Sequence, residues 1–198
     1  MATSQRVTVE VEGRRIPLSN LDKVLYPTTG FTKGEVIDYY SRIASVVLPH
    51  VRHRPLTRKR WPDGVQAASF FEKHVPRGTP DWVRTARLPT PGSTMDRDTI
   101  DYVVADDLPT VVWLANLAVL ELHVPQWTID DDDTPRNPDR LVLDLDPGPP
   151  ANVIECAQVA LELLPILEAD GLVPYAKSSG SKGMQLMVAL DGKRFDAS

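Results

Sequence analysis

Proline is the residue that most constrains the fold of this chain, because it occurs 18 times in 198 residues. Each proline lacks a backbone N–H and fixes its own φ, so it interrupts helix interiors and central strands. The prolines are scattered along the chain, which favours many short elements joined by loops over one disordered tract. With 42% hydrophobic and 25% charged residues, the composition is that of a single globular domain over residues 1–198.

Hydrophobic spacing predicts short strands and three helices in an α+β fold with mixed or antiparallel sheets and packed helices. Thr32 and Glu35 form a capping box before the first helix, which Pro49 is expected to end. Pro165 is expected to kink or break the third helix. Helices are predicted at 33–47, 109–121 and 151–169. Residues 80–99 are predicted to be mostly loop. Strands are predicted at 6–11, 14–18, 55–61, 67–73, 100–104, 122–127, 140–146, 172–176 and 184–190.

The charge of this chain is unevenly distributed, although its net value is only −5. Residues 49–74 carry six Lys or Arg side chains against two acids, whereas residues 130–133 are four consecutive aspartates. Screening makes the near field dominate, so a local basic patch on an acidic protein can still attract phosphate. The aspartate run itself is interpreted as a solvated loop.

The compartment is indicated by a single cysteine, Cys156, which excludes an internal disulfide and fits a reducing environment. The first residues lack the apolar core of a signal peptide, and no apolar stretch approaches the length of a membrane span. A cytoplasmic protein without a membrane partner is expected.

Two aspartates at the end of a buried strand are the sharpest chemical feature of the sequence. In Leu-Val-Leu-Asp-Leu-Asp-Pro-Gly, Asp144 and Asp146 are two residues apart and are expected to share one face, roughly 6.5–7 Å apart. Such a pair suits one or two divalent cations and phosphoryl transfer, although it also fits a plain polar turn. Haloacid-dehalogenase-type phosphatases share the Asp-x-Asp spacing, but they have Thr or Val at the position where this chain has Gly148, which makes the phosphatase interpretation weaker.

A small-residue loop, Ser-Ser-Gly-Ser-Lys-Gly at 178–183, joins two predicted strands. Its backbone N–H groups can converge on an anion, and Lys182 adds a positive charge. It is not a Walker loop, and alone it also fits a flexible hairpin turn. Next to an Asp-x-Asp strand, phosphate binding becomes the better interpretation.

A basic segment at 58–61, Arg-Lys-Arg-Trp, is followed by Phe70 and Phe71. Cations hold phosphates and aromatic faces stack on unpaired bases, so these residues fit single-stranded nucleic acid. They fit a solvated strand with one phenylalanine in the core equally well.

Together these stretches resemble the polymerase domain of bacterial DNA ligase D, in the archaeo-eukaryotic primase superfamily. The resemblance covers residues 18–187 through LSNLDKVLYP with the following TK, RPLTRKRWPDGV, FFEKHVP, ELHVPQW, PDRLVLDLDPG and SSGSKGMQL. It implies a primase-polymerase-like core that adds nucleotides, often ribonucleotides, at DNA breaks or gaps during non-homologous end joining. It also implies Mn²⁺ or Mg²⁺ as cofactor, nucleoside triphosphates and 5'-phosphorylated DNA as ligands, a DNA ligase and an end-binding protein as partners, and a bacterial, nucleoid-associated location.

The resemblance also implies a role for individual residues. Asp144 and Asp146 match the metal-binding and catalytic pair. The nucleotide-binding residues it implies are Ser179, Lys182, Gln185 and His123. Lys23 and Lys33 match a grip on the 5'-phosphate of DNA, and Phe70 and Phe71 match an aromatic pair that stacks on template bases. The basic block of Arg58, Lys59 and Arg60, which lies in a matching stretch, is expected to bind the DNA as well.

Two departures from the family pattern open an alternative function. Gln185 stands where many members have histidine, so weaker triphosphate binding is expected. The family's third metal-binding aspartate has no match, since Asp191 and Asp196 lie too close to the loop, and the fold is expected to be incomplete at the C-terminus. The alternative to nucleotidyl transfer is therefore a catalytically impaired module that binds DNA ends through the 5'-phosphate. A phosphatase with Asp144 as nucleophile is a third, weaker interpretation.

Overall fold

The computed structural model describes residues 6–90 and 98–191, in which the chain forms two compact units. The first unit holds residues up to Pro125 together with Ile129–Asp133, and the second holds Gln126–Thr128 and the residues from Thr134 onward. Helices and antiparallel sheets occur in a mixed order, which confirms the predicted α+β class. The interpretation of the chain as a single domain stays a prediction. Residues 91–97 of the predicted loop, and Asp196, lie outside the described residues.

The first unit is built around strand β5, which pairs antiparallel with three other strands. Its five-stranded sheet has the order β6-β5-β8-β7, with β9 added to β5, and β1-β2 and β3-β4 form separate hairpins. The elements of this unit are β1 (Arg6–Val11), β2 (Arg14–Ser19), β3 (Val24–Tyr26), β4 (Phe31–Thr32), α1 (Lys33–Val51), β5 (Pro55–Arg60), β6 (Phe70–Glu72), β7 (Thr85–Pro89), β8 (Thr99–Val104), α2 (Leu108–Asn116) and β9 (Val119–His123).

Helix α1 begins at the predicted capping box but continues past its predicted end. The Thr32 hydroxyl accepts a hydrogen bond from the Glu35 N–H, and the Glu35 carboxylate accepts one from the Thr32 N–H at 2.7 Å. Pro49 lies in the last turn, where one lost hydrogen bond does not stop the helix. Leu48 and Val51 are buried against the core, and this burial holds the final turn in place.

Helix α2 is shorter than predicted, because its last apolar residues belong to a strand. Ala118 adopts a left-handed backbone with φ of 57° just after the helix, and β9 then pairs with β5. β7 was also missed by sequence analysis, which predicted loop there, although β7 pairs with β8 along its whole length. In both places pairing with another strand, and not the pattern of the segment itself, decides the local structure.

The second unit contains a three-stranded antiparallel sheet of order β12-β14-β13 with α3 against one face. Inward-facing residues Leu143, Leu186 and Val188 pack with Ala160 and Leu167 of the helix. A short ribbon of β10 and β11 precedes this sheet, and β11 lies in a segment predicted to be loop. The elements are β10 (Trp127–Ile129), β11 (Pro135–Pro138), β12 (Arg140–Leu145), α3 (Val153–Ala169), β13 (Pro174–Ser178) and β14 (Met184–Ala189).

Helix α3 runs without interruption through Pro165, so the predicted break does not occur. Asn152 and Glu155 form its capping box, and Gly171 follows its end with φ of 73°. The Leu172 N–H donates back to the Leu167 carbonyl at 2.9 Å, which closes the last turn. Among residues 6–90 and 98–191, no helix is long and apolar enough to cross a membrane.

Candidate active site and nucleic-acid interface

One face of the second unit's sheet carries Asp144 beside Gln185. The two residues are cross-strand partners, as are Gln185 and Lys177, so the three side chains form a row across β12, β14 and β13. The Gln185 amide donates to the Asp144 carboxylate at 3.2 Å. The helix packs on the opposite, leucine-rich face, so this row is left available to ligands.

Asp146 lies one residue beyond the end of β12 and borders the start of β14. A Cβ built on Gly183 would lie 3.1 Å from the Asp146 Oδ1 atom and would collide with the Leu145 carbonyl oxygen. Only glycine therefore fits position 183, and it brings β14 close to the second carboxylate. In the described part of the chain, the Asp146 carboxylate has no hydrogen-bond or ion-pair partner.

The small-residue loop between β13 and β14 is closed on itself by Ser179. Its hydroxyl accepts the N–H groups of Ser181 at 3.3 Å and Gly183 at 3.1 Å, and the Ser179 N–H donates to the Gly183 carbonyl. These two N–H groups are thus engaged within the loop instead of open to an anion. Lys182 is exposed, so its ammonium is the loop's main means of contacting a phosphate.

The acid pair fits a divalent cation of the magnesium type. No group of three or more His, Cys, Asp or Glu side chains that could hold a metal occurs within residues 6–90 and 98–191. Mg²⁺ is commonly bound through one or two carboxylates together with substrate phosphates and water, and two exposed carboxylates match that donor set.

In the first unit, Lys23 and Lys33 come together where α1 begins. The Lys33 N–H donates to the Lys23 carbonyl at 2.8 Å, and the Gly34 N–H donates to the Leu21 carbonyl. The first N–H groups of the helix are therefore occupied by the preceding chain, and the side-chain ammonium groups carry the positive charge. Both lysines were predicted as DNA contacts only from the family resemblance.

The Lys33 side chain is buried, with 6% of the residue exposed. Burial and the nearby charges of Lys23 and Arg60 lower the pKa of Lys33 to about 8. Within the described residues its ammonium has no hydrogen-bond or ion-pair partner. An ammonium near two further cations, on a largely buried side chain, is an unfavourable arrangement that an anionic ligand would relieve.

Arg58 lies in the interior, with no exposed side-chain surface, and this revises its interpretation as a DNA contact. Its guanidinium donates to the backbone carbonyls of Glu72, Lys73 and His74 and forms an ion pair with the Glu72 carboxylate at 3.5 Å. Burial lowers its pKa to about 10, against the opposing effect of Glu72. Arg58 links β5 to β6, and the phosphate-facing candidates that remain are Lys59 and Arg60.

Phe70 and Phe71 are both exposed, at 44% and 59%, and each has a cation over its ring. Arg60 lies 5.3 Å from the ring centre of Phe70, and Lys59 lies at the same distance from Phe71. The ring of His123 meets Phe71 edge to face at 5.4 Å. Exposed rings held by cations can receive unpaired bases.

Three acidic residues that sequence analysis did not select hold this surface in place. Glu72 pairs with Arg60 at 3.2 Å, and Glu121 pairs with Lys59 at 3.4 Å and with His123 at 2.7 Å. Asp63 pairs with Lys23 at 2.6 Å. No local sequence signal identifies them, because the lysine or arginine partner of each lies 12 or more positions away.

The fold is α+β, with an acid-bearing sheet and a Gly-Ser-Lys loop in one unit and a surface of cations and aromatic rings in the other. These features define a primase-polymerase class of domain. A family model described as the LigD primase-polymerase domain matches residues 32–198. This chain belongs to that family.

Relatives and a solved structure agree with this family. The multifunctional non-homologous end joining protein LigD of Mycolicibacterium smegmatis is 42% identical over 177 residues, which are 89% of this chain and 22% of that protein. The bifunctional LigD of Bacillus subtilis is 33% identical over 181 residues, 91% of this chain and 28% of that protein. The chain thus spans about a quarter of the length of these curated relatives. The polymerase domain of Mycobacterium tuberculosis ligase D in complex with DNA matches with a TM-score of 0.81 and 41% identity, over 89% of this chain and 62% of that one.

Proposed function

We propose that this chain carries out template-directed nucleotidyl transfer at DNA breaks or gaps, in non-homologous end joining in the bacterial nucleoid. The 3'-hydroxyl of a primer attacks the α-phosphate of a bound nucleoside triphosphate, a new phosphodiester bond forms and pyrophosphate leaves. Family membership supports this reaction, as does the name of its relatives, which are non-homologous end joining proteins. A DNA ligase and an end-binding protein are the proposed protein partners.

Asp144 and Asp146 are proposed to hold Mn²⁺ or Mg²⁺. When bound, such a cation neutralises charge on the phosphates and stabilises the attacking and leaving oxygens. The Gln185 amide keeps the Asp144 carboxylate oriented by the hydrogen bond between them.

The incoming nucleotide is proposed to lie against the small-residue loop. Lys182 contacts the triphosphate, while Ser179 keeps the loop closed through the two N–H groups that its hydroxyl accepts. Gln185 donates one hydrogen bond without charge, which fits moderate triphosphate affinity. His123, on β9, is a further proposed nucleotide-binding residue, and the Glu121 carboxylate orients its ring.

The DNA is proposed to bind the first unit. Lys23 and Lys33 grip a 5'-phosphate, and Lys59 and Arg60 contact the backbone. Phe70 and Phe71, the two exposed rings, stack on template bases. The complex of the M. tuberculosis polymerase domain with DNA supports nucleic acid as the ligand of this family.

The observation that carries this proposal is the acid pair beside the 183–185 segment, where Gln185 contacts Asp144 and Gly183 approaches Asp146. Primer extension on gapped DNA with a 5'-phosphate, ribonucleotides and Mn²⁺ tests it. Asp146→Ala should abolish extension, whereas Asp170→Ala, which removes an exposed carboxylate after α3, should leave it unchanged. Equal extension by wild type and Asp146→Ala would refute the assignment.

The alternative is a DNA-end-binding module without catalysis. Lys33 favours it, because its ammonium has no carboxylate partner within the described residues and lies near the charges of Lys23 and Arg60, so an anion would stabilise it regardless of any chemistry. A folded protein that binds 5'-phosphorylated gapped DNA in a salt-sensitive way, yet extends no primer with either metal, would support this alternative.

A further inference from the structure

The ammonium of Lys23, proposed to grip a 5'-phosphate, already has an anionic partner within the chain. The Asp63 Oδ1 atom lies 2.6 Å from the Lys23 Nζ atom. Both side chains are at the surface, with 38% of Lys23 and 75% of Asp63 exposed. An exposed pair of this kind contributes little to stability and can be opened at low cost.

A rigid turn presents the Asp63 carboxylate to Lys23. The Gly64 N–H donates to the Trp61 carbonyl at 3.1 Å, and the Val65 N–H donates to the Leu25 carbonyl at 2.8 Å. Gly64 has φ of 90°, and a Cβ there would lie 3.0 Å from the Leu25 carbonyl oxygen. The turn is thus fastened closely to the strand that follows Lys23, which keeps the carboxylate within reach.

The surrounding charges are cations that a phosphate would also meet. The Lys33 N–H donates a hydrogen bond to the Lys23 carbonyl, and Arg60 lies near enough to lower the pKa of Lys33. Arg60 is already tied to the Glu72 carboxylate and to the Leu117 carbonyl. Asp63 is therefore the carboxylate that pairs with Lys23 at the surface, and it occupies the position that a phosphate oxygen bound to Lys23 would take.

We propose that Asp63 is an intramolecular competitor for the 5'-phosphate, which must leave Lys23 before a phosphate can bind there. This inference rests on the proposed role of Lys23 and Lys33 and assigns Asp63 the role of setting their affinity. A terminal phosphate carries up to two negative charges and can displace a single carboxylate. A 5'-hydroxyl end places no anion at Lys23 and leaves the pair closed.

Asp63→Asn tests this competition, because it removes the charge and keeps a residue that favours turns. We expect the variant to bind gapped DNA with a 5'-phosphate roughly 2- to 5-fold more tightly than wild type. The reason is that the phosphate no longer has to break an exposed ion pair before it binds Lys23. Binding of the same DNA with a 5'-hydroxyl should not change. The gain on the phosphorylated DNA should shrink as salt rises.

Asp38→Asn is the matched control. Asp38 is 64% exposed and pairs with Arg42 at 2.9 Å on α1, so the variant makes the same change in net charge at a similarly exposed ion pair. It should bind both DNAs like wild type. Fluorescence anisotropy with labelled DNA at low salt measures all affinities, and thermal melting checks that each variant is folded.

Lys23→Ala and Lys33→Ala separate this inference from the proposed function. If both weaken binding of the phosphorylated DNA and Asp63→Asn strengthens it, the competition is established. If both weaken it but Asp63→Asn matches wild type, binds less tightly, or gains no more than Asp38→Asn, Asp63 is not a competitor. If neither lysine variant changes binding, the 5'-phosphate site itself is misassigned.

Discussion

The cationic surface of the first unit and the acid-bearing sheet of the second differ in how their charges are held. On the cationic surface Lys23, Lys59 and Arg60 each pair with a carboxylate of the same unit. On the sheet Asp144 accepts one hydrogen bond from a neutral amide, and Asp146 has no partner within the described residues.

This difference separates two ways of preparing a site for charged ligands. Internal carboxylates fix the geometry of the cationic surface in advance, and a nucleic acid must compete with some of them. The acid pair keeps its charge available and depends on cations and phosphates to complete it. The cationic surface is therefore suited to recognising nucleic acid, and the acid pair to chemistry once cations and phosphates are bound.

Arg58→Met tests how far the cationic surface depends on a buried link. The change leaves the Glu72, Lys73 and His74 carbonyls without their donor and Glu72 without its buried partner. We expect the free energy of unfolding to fall by about 3–5 kcal/mol in chemical denaturation. Arg87→Met, which removes an exposed guanidinium paired with Asp101, should lower stability far less. Similar losses in both variants would remove the distinction.

Phe71→Ala probes the aromatic part of the same surface. Phe71 is the more exposed of the two rings, so its loss should scarcely change the melting temperature. Binding of a single-stranded template should weaken by about 1–3 kcal/mol, the usual contribution of one stacked base. Tyr39→Ala, at another exposed ring, on α1, is the control and should bind normally. Unchanged template affinity in Phe71→Ala would count against stacking.

Gly183→Ala tests the close approach that brings the acid pair to β14. The added Cβ would meet the Leu145 carbonyl and the Asp146 carboxylate, so a shift costing about 1–3 kcal/mol is expected in thermal or chemical unfolding. Primer extension should fall as well, because Asp146 is displaced. Gly148→Ala meets no atom within 4 Å and serves as the control. A fully active, equally stable Gly183→Ala variant would contradict the described packing.

The smallest expected change in DNA binding concerns Lys33, and it depends on pH. Its pKa is lowered to about 8, so its charge is lost as pH rises through that value, and 5'-phosphate binding should weaken a few-fold between pH 7 and 9. The free energy of unfolding changes with pH in the opposite direction. The unfolded chain keeps the Lys33 proton up to the ordinary pKa of about 10.4, whereas the folded chain loses it near pH 8. Stability therefore rises with pH above about 8. Lys33→Arg stays charged and should bind DNA equally at both pH values. A pH-independent wild type would argue against Lys33 as a contact.

The elements predictable from the sequence were those governed by local periodicity and capping. The α+β class, α3 with its C-terminal Gly171, the strand that ends in the acid pair and the loop after β13 all follow from short-range patterns. The starts of α1 and α3 follow from their capping boxes.

What could not be predicted depends on pairing between segments, which leaves no pattern within either segment alone. β7 and β11 form because other strands pair with them, and α2 yields its last apolar residues to β9 for the same reason. The burial of Arg58 and the contact of Asp63 with Lys23 join residues 14 or more positions apart. A single sequence carries no direct signal for such contacts.

The hydrogen bond between the Lys33 N–H and the Lys23 carbonyl has a consequence for how this protein can vary. It ties both lysines to one backbone link at the base of the β3–β4 hairpin, while residues 27–30 form the tip. The backbone distance between the two lysines is therefore set at the base of the hairpin and not by the length of that tip. Residues can be inserted at 27–30, as a graft or a labelling site, without moving the lysines, whereas an insertion at 20–23 would separate them.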